Sequence, residues 1–319
     1  MRFVTFRSGQ SLRPGLLTNP SAILDIPLAY SIAKQHGLEV DANGCPQSVL
    51  DVIQGGPRTL LQLQDMTNRL DGGALQGAVV LADSADIVAP IPRPTKNVFC
   101  VGKNYRAHIA EGNRARKTDE APPEYPVFFT KPPTAVTGPD APILFDPSVS
   151  DRMDYEVELG VVIGKAGRNI TVEDAIEHIF GFTIINDVTA RDLQRRHGGQ
   201  FLKGKGLDTF CPMGPSIVTI DELSEFDSLE IGLTVNGEVR QVGNTGSMIF
   251  PIAQLLASLS EGMTLEPGDI LATGTPSGVG YAMEPPVFLK DGDTITCQIE
   301  GIGTLTNPVR SVAARTVGT

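Results

Sequence analysis

The chain has 319 residues, of which 41% are hydrophobic and 20% charged, enough apolar material for a sizeable core and no signature of disorder. With 26 basic and 37 acidic side chains the formal net charge is −11, which excludes nucleic acid and anionic membrane surfaces as natural partners. An anionic substrate would therefore need a cation, side chain or metal, to hold it.

Residues 1–6 read as an edge strand, and Pro27, Leu28, Ile32 and Ala33 as a short helix closed by Gly37. A second helical pattern runs from Thr59 through Leu60, Leu63 and Leu70 and stops at Gly72-Gly73. Pro90, Pro92 and Pro94 then mark a linker, since proline at that density fits neither a helix nor a sheet interior. This divides the chain into a small α+β module over 1–93 and a larger body over 94–319. The body is mostly β: strands are expected over 97–101, 127–130, 156–163, 181–185, 269–273 and 294–300. Residues 229–235 and 238–242 flank Asn236-Gly237, a dipeptide that tolerates the positive φ of a type I′ hairpin turn. Helices are expected only over 172–179 and 248–259, the latter capped by Ser247. Rolled antiparallel or mixed sheets with few helices follow as the fold class.

The four cysteines (Cys45, Cys100, Cys211, Cys297) form no CxxC pair and fit neither a zinc site nor a disulfide framework. The first fifteen residues are polar, and no apolar run approaches the ~20 residues of a membrane span. A soluble cytoplasmic protein is expected.

The most informative stretch is Asp154-Tyr155-Glu156-Val157-Glu158-Leu159-Gly160. Alternation places Glu156 and Glu158 on one face of a strand that runs into an apolar, buried continuation. Two like charges beside a core repel and lose hydration, a conflict that a divalent cation resolves. A second apolar strand ends at Asp187, offering a third oxygen donor. Three carboxylates without cysteine or histidine make a hard-oxygen site for Mg²⁺, Mn²⁺ or Ca²⁺. The competing reading is a solvated sheet face, with the glutamates paired to Arg152 or Lys165. His108 and Glu111, three residues apart, share a helix face if that segment is helical, and a carboxylate beside an imidazole improves it as a base. An exposed helix face is the competing reading for that pair.

The strings VGKNYRAH with Glu111, DYEVELGVVIG, NDVTARDLQ, GKGLDTFCPMGP and TGTPSGVG occur in this order. Together they resemble the fumarylacetoacetate hydrolase family over about 97–308, on the branch of its domain-containing proteins, acylpyruvases and dienedioate isomerases. The resemblance implies rolled sheets, a homodimer and a divalent metal. It makes Glu156, Glu158 and Asp187 the metal ligands, His108 and Glu111 a water-activating dyad, and Lys205, rather than Lys203, the lysine that meets substrate. Tyr105, Arg191, Gln194 and Thr275 become substrate-binding positions. Gly274, Gly278 and Gly280 flank Thr275, and their N–H groups could hold a substrate carboxylate as a nest.

A 2-oxo or diketo acid is the implied substrate, since its carboxylate and oxo oxygens chelate one metal. The first expectation is hydrolysis of a carbon–carbon bond in an acylpyruvate or fumarylpyruvate. The alternative keeps the site but performs tautomerisation of oxaloacetate, isomerisation of a hydroxymuconate-type dienoate, or decarboxylation. A non-catalytic 2-oxo-acid binding protein is a third reading. Residues 113–124 are expected to form a solvated loop or a lid that orders over substrate.

Overall fold

The strands Val157–Ile163 and Ile179–Asn186 are buried at every position, as their near-continuous apolar sequences require of strands covered on both faces. They pair antiparallel, with Val157 opposite Asn186, at the heart of a twelve-stranded sheet in a computed structural model of the chain. All residues are described except 38–39, 41–43, 72, 224 and 313–319.

From one edge the sheet runs Val79–Leu81, Ala22–Asp25, Ser11–Asn19, Arg2–Ser8, Cys211–Thr219, Ile179–Asn186, Val157–Ile163, Ile270–Ala272, Val98–Gly102 and Val127–Lys131. A five-stranded sheet, in the order Glu238–Asn244, Glu230–Val235, Thr294–Ile299, Gly303–Ser311 and Ile143–Phe145, packs over its central strands. Leu159, Val161 and Phe182 meet Ile231, Leu233 and Ile295 in the main core. Fully burying an aliphatic side chain of this kind stabilises by about 1.5–3 kcal/mol, so this seam anchors the strands that carry the site. The mostly β architecture with mixed sheets and few helices is the one expected. No helix among the described residues is long and apolar enough to cross a membrane.

Several local expectations are corrected. The first strand, Arg2–Ser8, is interior rather than an edge, because it pairs with both Ser11–Asn19 and Cys211–Thr219. The strands of the first ninety residues thus share one sheet with those of the larger body. Beneath them, Ile26, Val52, Ile53 and Leu63 from helices Ile26–Gln35 and Val49–Asp71 pack against Ile185, Met213 and Ile217 of the larger body. The second of these helices begins at Val49 instead of Thr59 and bends at Gly56 (φ 60°, ψ −152°), just before Pro57. It ends at Asp71, at the expected Gly72-Gly73 stop, where Gly73 takes a φ of 79° and Gly72 lies outside the described residues. The proline run carries no helix or strand, yet Pro90, Ile91 and Pro94 are buried, and Pro90 accepts a 2.7 Å hydrogen bond from Thr5 Oγ1.

Residues 172–179 form only a single 3₁₀ turn, Ala175–His178, because Ile179 already joins the sheet. The helix expected over 248–259 is Ile252–Ser260, entered from Pro251; Ser247 instead ends a preceding turn. The Asn236-Gly237 hairpin forms as expected, with φ of 53° and 80° at its two turn residues.

Candidate active site

Glu156, Glu158 and Asp187 converge. Glu158 lies in the Val157–Ile163 strand, Glu156 just before it, and Asp187 just after the paired Ile179–Asn186 strand, so one antiparallel register brings the three together. Asp187 N–H donates to the Glu156 carbonyl at 2.8 Å and Glu156 N–H to Asn186 Oδ1 at 3.1 Å, which closes the two strand ends. All three carboxylates are buried, each with an oxygen within 4.8 Å of one from the others. The solvated-face reading is overturned: Arg152 pairs with Asp151 and Lys165 with Glu177, both remote from the triad.

Three buried cations share this space. Lys205 Nζ donates to Glu156 Oε2 at 2.8 Å, to Thr189 Oγ1 at 2.9 Å and to Asp187 Oδ2. Lys131 Nζ donates to Asp187 Oδ1 and the Val188 carbonyl. Arg191 Nε donates to Asp154 Oδ2 at 2.8 Å and Nη2 to Glu156 Oε1 at 2.7 Å. Burial alone would raise the Glu156 pKa, but Lys205 and Arg191 outweigh it and hold the carboxyl well below the usual range. Burial likewise favours a neutral Lys205, yet Asp187 and Glu156 outweigh it and keep the ammonium protonated.

Glu158 differs. Burial, then the charges of Asp187 and Glu156, push its pKa well above the ordinary carboxylate range, with only Lys205 and the Gly274 N–H, at 2.9 Å, opposing them. Four buried carboxylates, counting Asp154, thus face three cations. A divalent cation among the triad oxygens would turn that deficit of one positive charge into an excess of one, which suits an anionic substrate, and the all-oxygen donor set is one a hard cation fits.

The dyad faces the same space. Helix Arg106–Arg116 follows Tyr105 and places His108 and Glu111 one turn apart. His108 Nδ1–H donates to Glu111 Oε1 at 2.8 Å, while Glu111 Oε2 accepts the Gly278 N–H at 2.7 Å. The imidazole is thereby fixed with Nε2 left for substrate. Glu111 is buried and His108 half-buried, so the exposed-helix reading does not hold. Gly278 must be glycine: its φ is +112°, and a Cβ there would meet the Arg240 carbonyl at 2.0 Å.

The glycine loop serves differently from expectation. Gly274 N–H donates to Glu158, Gly278 N–H to Glu111 and Gly280 N–H to Asp154 Oδ1, so all three bind the protein's own carboxylates instead of forming a nest for substrate. Tyr105 is also corrected. It is buried, its hydroxyl has no hydrogen-bond partner among the described residues, and it does not line the cavity.

A cavity of about 530 Å³ joins these groups, lined among others by His108, Glu156, Glu158, Gln194, Lys205 and Thr275. Lys203 is exposed, so of these two lysines it is Lys205 that reaches the triad, where Lys131 joins it on Asp187. Residues 113–116 finish the helix. The rest of the expected loop is organised by Asn113, whose side chain bonds both the N–H and the carbonyl of Glu120.

Sequence reasoning missed Asp154 and Gln241, and it left Lys131 as a further cation that could simply pair with a surface carboxylate, whereas its partner is the buried Asp187. Asp154, inside a matched motif, takes Arg191 and the N–H groups of Gly280 and Tyr281. Lys131 ends an apolar strand as Asp187 does, a signal that was legible but not distinctive. Gln241 sits on the Asn-Gly hairpin and carried no signal. Its Oε1 accepts the Val157 N–H at 3.0 Å, and its Nε2 donates to Thr275 Oγ1 at 2.9 Å and the Pro276 carbonyl at 2.8 Å. Because Thr275 accepts there, its own hydroxyl hydrogen is free to point elsewhere. Gln241→Leu would strand these buried partners at about 1–3 kcal/mol each. The expected outcome is a lower urea midpoint and weaker substrate binding, checked by denaturation and steady-state kinetics.

The family profile Fumarylacetoacetate (FAA) hydrolase C-terminal matches residues 97–310. The chain belongs to the fumarylacetoacetate hydrolase family. It is 43% identical over 312 residues to "Oxaloacetate tautomerase YisK" of Bacillus subtilis (strain 168), covering 97% of this chain and 100% of that relative. Among solved structures it resembles a fumarylacetoacetate hydrolase from Exiguobacterium antarcticum at 38% identity and a TM-score of 0.73, over 98% of this chain and 100% of that one. It also resembles a 5-carboxymethyl-2-hydroxymuconate delta-isomerase from Mycobacterium smegmatis at 34% identity and a TM-score of 0.70, with the same coverage. The protein is accordingly a fumarylacetoacetate hydrolase-family enzyme, and of these three relatives one carries the name of a tautomerase, one of an isomerase and one of a hydrolase.

Proposed function

We propose that the protein interconverts the keto and enol forms of a 2-oxo acid of the oxaloacetate type, with a divalent cation at Glu156, Glu158 and Asp187. The observation that carries this reading is that His108, held by Glu111, lines one cavity with Glu156 and Glu158 of the buried triad, in a chain similar along its length to an oxaloacetate tautomerase. When bound, Mg²⁺ or Mn²⁺ (Ca²⁺ also suits the donors) supplies Lewis acidity that polarises the oxo group.

The side chains do the rest. His108 Nε2 takes a proton from the carbon beside the oxo group and passes it to the oxo oxygen to complete the enol, the reverse reaction running the same proton back, while Glu111 stabilises the imidazolium that forms between the two transfers. Lys205, held protonated, acts as a cation that offsets negative charge developing on the substrate oxygen, rather than as a base. Thr275 offers its hydroxyl hydrogen to a substrate oxygen, oriented by Gln241. Tautomerisation needs only proton movement, so no water has to be positioned for attack.

Hydrolysis of an acylpyruvate is the second reading, favoured by the intact dyad, which could activate a water. Enol absorbance of oxaloacetate and cleavage of acylpyruvates, each followed with Mg²⁺ or Mn²⁺, distinguish the two. Rapid loss of the enol signal without cleavage is expected. Fast acylpyruvate cleavage with no acceleration of enol decay would overturn the proposal.

A further inference from the structure

We propose that Arg195, lying over the Tyr281 ring, forms a subsite for the distal carboxylate of a dicarboxylic 2-oxo acid. This rests on the tautomerase reading, because it takes the 2-oxo-acid end of the substrate to lie at the triad and Lys205.

Five cationic side chains line the cavity: Lys103, Arg116, Arg191, Arg195 and Lys205. Four are committed to carboxylates. Lys205 and Arg191 hold Glu156, Asp187 and Asp154. Lys103 pairs with Glu120 at 2.6 Å, and Arg116 approaches the same carboxylate at 3.5 Å. Arg195 has no carboxylate partner among the described residues. The nearest candidate by sequence, Asp192, is taken by Ser150 Oγ and by Arg196 at 3.6 Å.

What holds Arg195 is aromatic. Its guanidinium carbon lies 5.5 Å from the centroid of the Tyr281 ring, a cation–π contact, and that of Arg191 lies 4.4 Å from the same ring. Tyr281 is itself fixed: its N–H donates to Asp154 Oδ2 at 3.0 Å, and its hydroxyl accepts from Arg116 Nη1 at 3.0 Å. The network that positions Arg191 against Glu156 therefore also places Arg195 on the cavity wall. A guanidinium held by an aromatic ring instead of a carboxylate keeps N–H donors free for an anion, and its fork of donors matches a carboxylate bidentately. A dianionic substrate entering a chain of net charge −11 needs a second cation beyond those at the triad, and Arg195 is positioned to supply it.

The test compares oxaloacetate with 2-oxobutyrate, which carries a methyl group in place of the distal carboxylate. Exchange of the proton beside the oxo group into D₂O is followed by NMR with the Mg²⁺-loaded full chain. Arg195→Gln is expected to raise KM for oxaloacetate by about tenfold to a hundredfold, the worth of a charge-assisted hydrogen bond. Its effect on 2-oxobutyrate should be far smaller, and Arg195→Lys should recover part of the loss. An equal loss on both acids, no loss on either, or a wild-type protein that does not prefer oxaloacetate would overturn the subsite while leaving the tautomerase reading in place. A wild-type protein that exchanges neither acid would overturn both.

Discussion

Replacing His108 with alanine is expected to slow tautomerisation by about a hundredfold to ten-thousandfold, the usual contribution of a positioned general base. The substitution leaves Glu156, Glu158 and Asp187 in place, because among the described residues the His108 side chain hydrogen-bonds to Glu111 and to none of the three. Metal affinity should therefore be nearly unchanged, and the loss should fall on kcat more than on KM. Metal titration and steady-state kinetics on the same preparation check both halves. Wild-type turnover in His108→Ala would remove the histidine from the mechanism. A parallel loss of metal binding would show instead that the helix carrying His108 supports the triad.

The second large effect is expected at Glu158. Its carboxyl, pushed toward the neutral form by burial and by Asp187 and Glu156, is the member of the triad least compensated by protein cations. Glu158→Gln keeps an oxygen to accept the Gly274 N–H and removes the source of repulsion, so the metal-free variant should unfold no more easily than the metal-free wild type. What it loses is the response to metal. A cation present at a hundredfold its Kd stabilises the wild type by about 2.7 kcal/mol through preferential binding to the folded state, and the variant should show little of this. Activity should fall by more than the ~10–100-fold typical of losing a partner outside the ligand sphere. Thermal melts with and without Mg²⁺ or Mn²⁺ read the effect directly; an undiminished metal-dependent shift in Glu158→Gln would place the ion elsewhere.

The parts of the molecule legible in the sequence were those where local chemistry decides structure. Asn236-Gly237 specified its turn because few other dipeptides tolerate φ of 53° and 80° in succession. Glu156, Glu158 and Asp187 stood out because carboxylates at the ends of apolar strands need an explanation. Elsewhere, tertiary pairing overrode local pattern. The Cys211–Thr219 strand contains Pro212 and Pro215 and reads as a turn, yet it lies inside the sheet. Pro215 is tolerated there because it falls where the register against Ile179–Asn186 shifts between Phe182 and Ile184.

The same limit applied within the site. Gly274, Gly278 and Gly280 looked like an open anion nest, and only three-dimensional placement shows their N–H groups turned onto Glu158, Glu111 and Asp154. Gln241 belongs to a hairpin of the smaller sheet, and no local feature announces that it joins Val157 to Thr275. Arg191 illustrates a partial reading. Its motif marked it as a substrate contact, whereas its guanidinium is tied to Asp154 and Glu156, with a longer approach to Gln194 Oε1 at 3.4 Å.

The central claim is that three buried carboxylates hold one hard cation within reach of a small 2-oxo acid facing His108. A crystal structure grown with Mn²⁺ and oxalate, with the ion located by its anomalous scattering, tests it most directly. The account predicts a single peak bonded to oxygens of Glu156, Glu158 and Asp187, with oxalate on it inside the cavity lined by His108 and Lys205. An ion bound by other residues, or oxalate settled away from the triad, would contradict it.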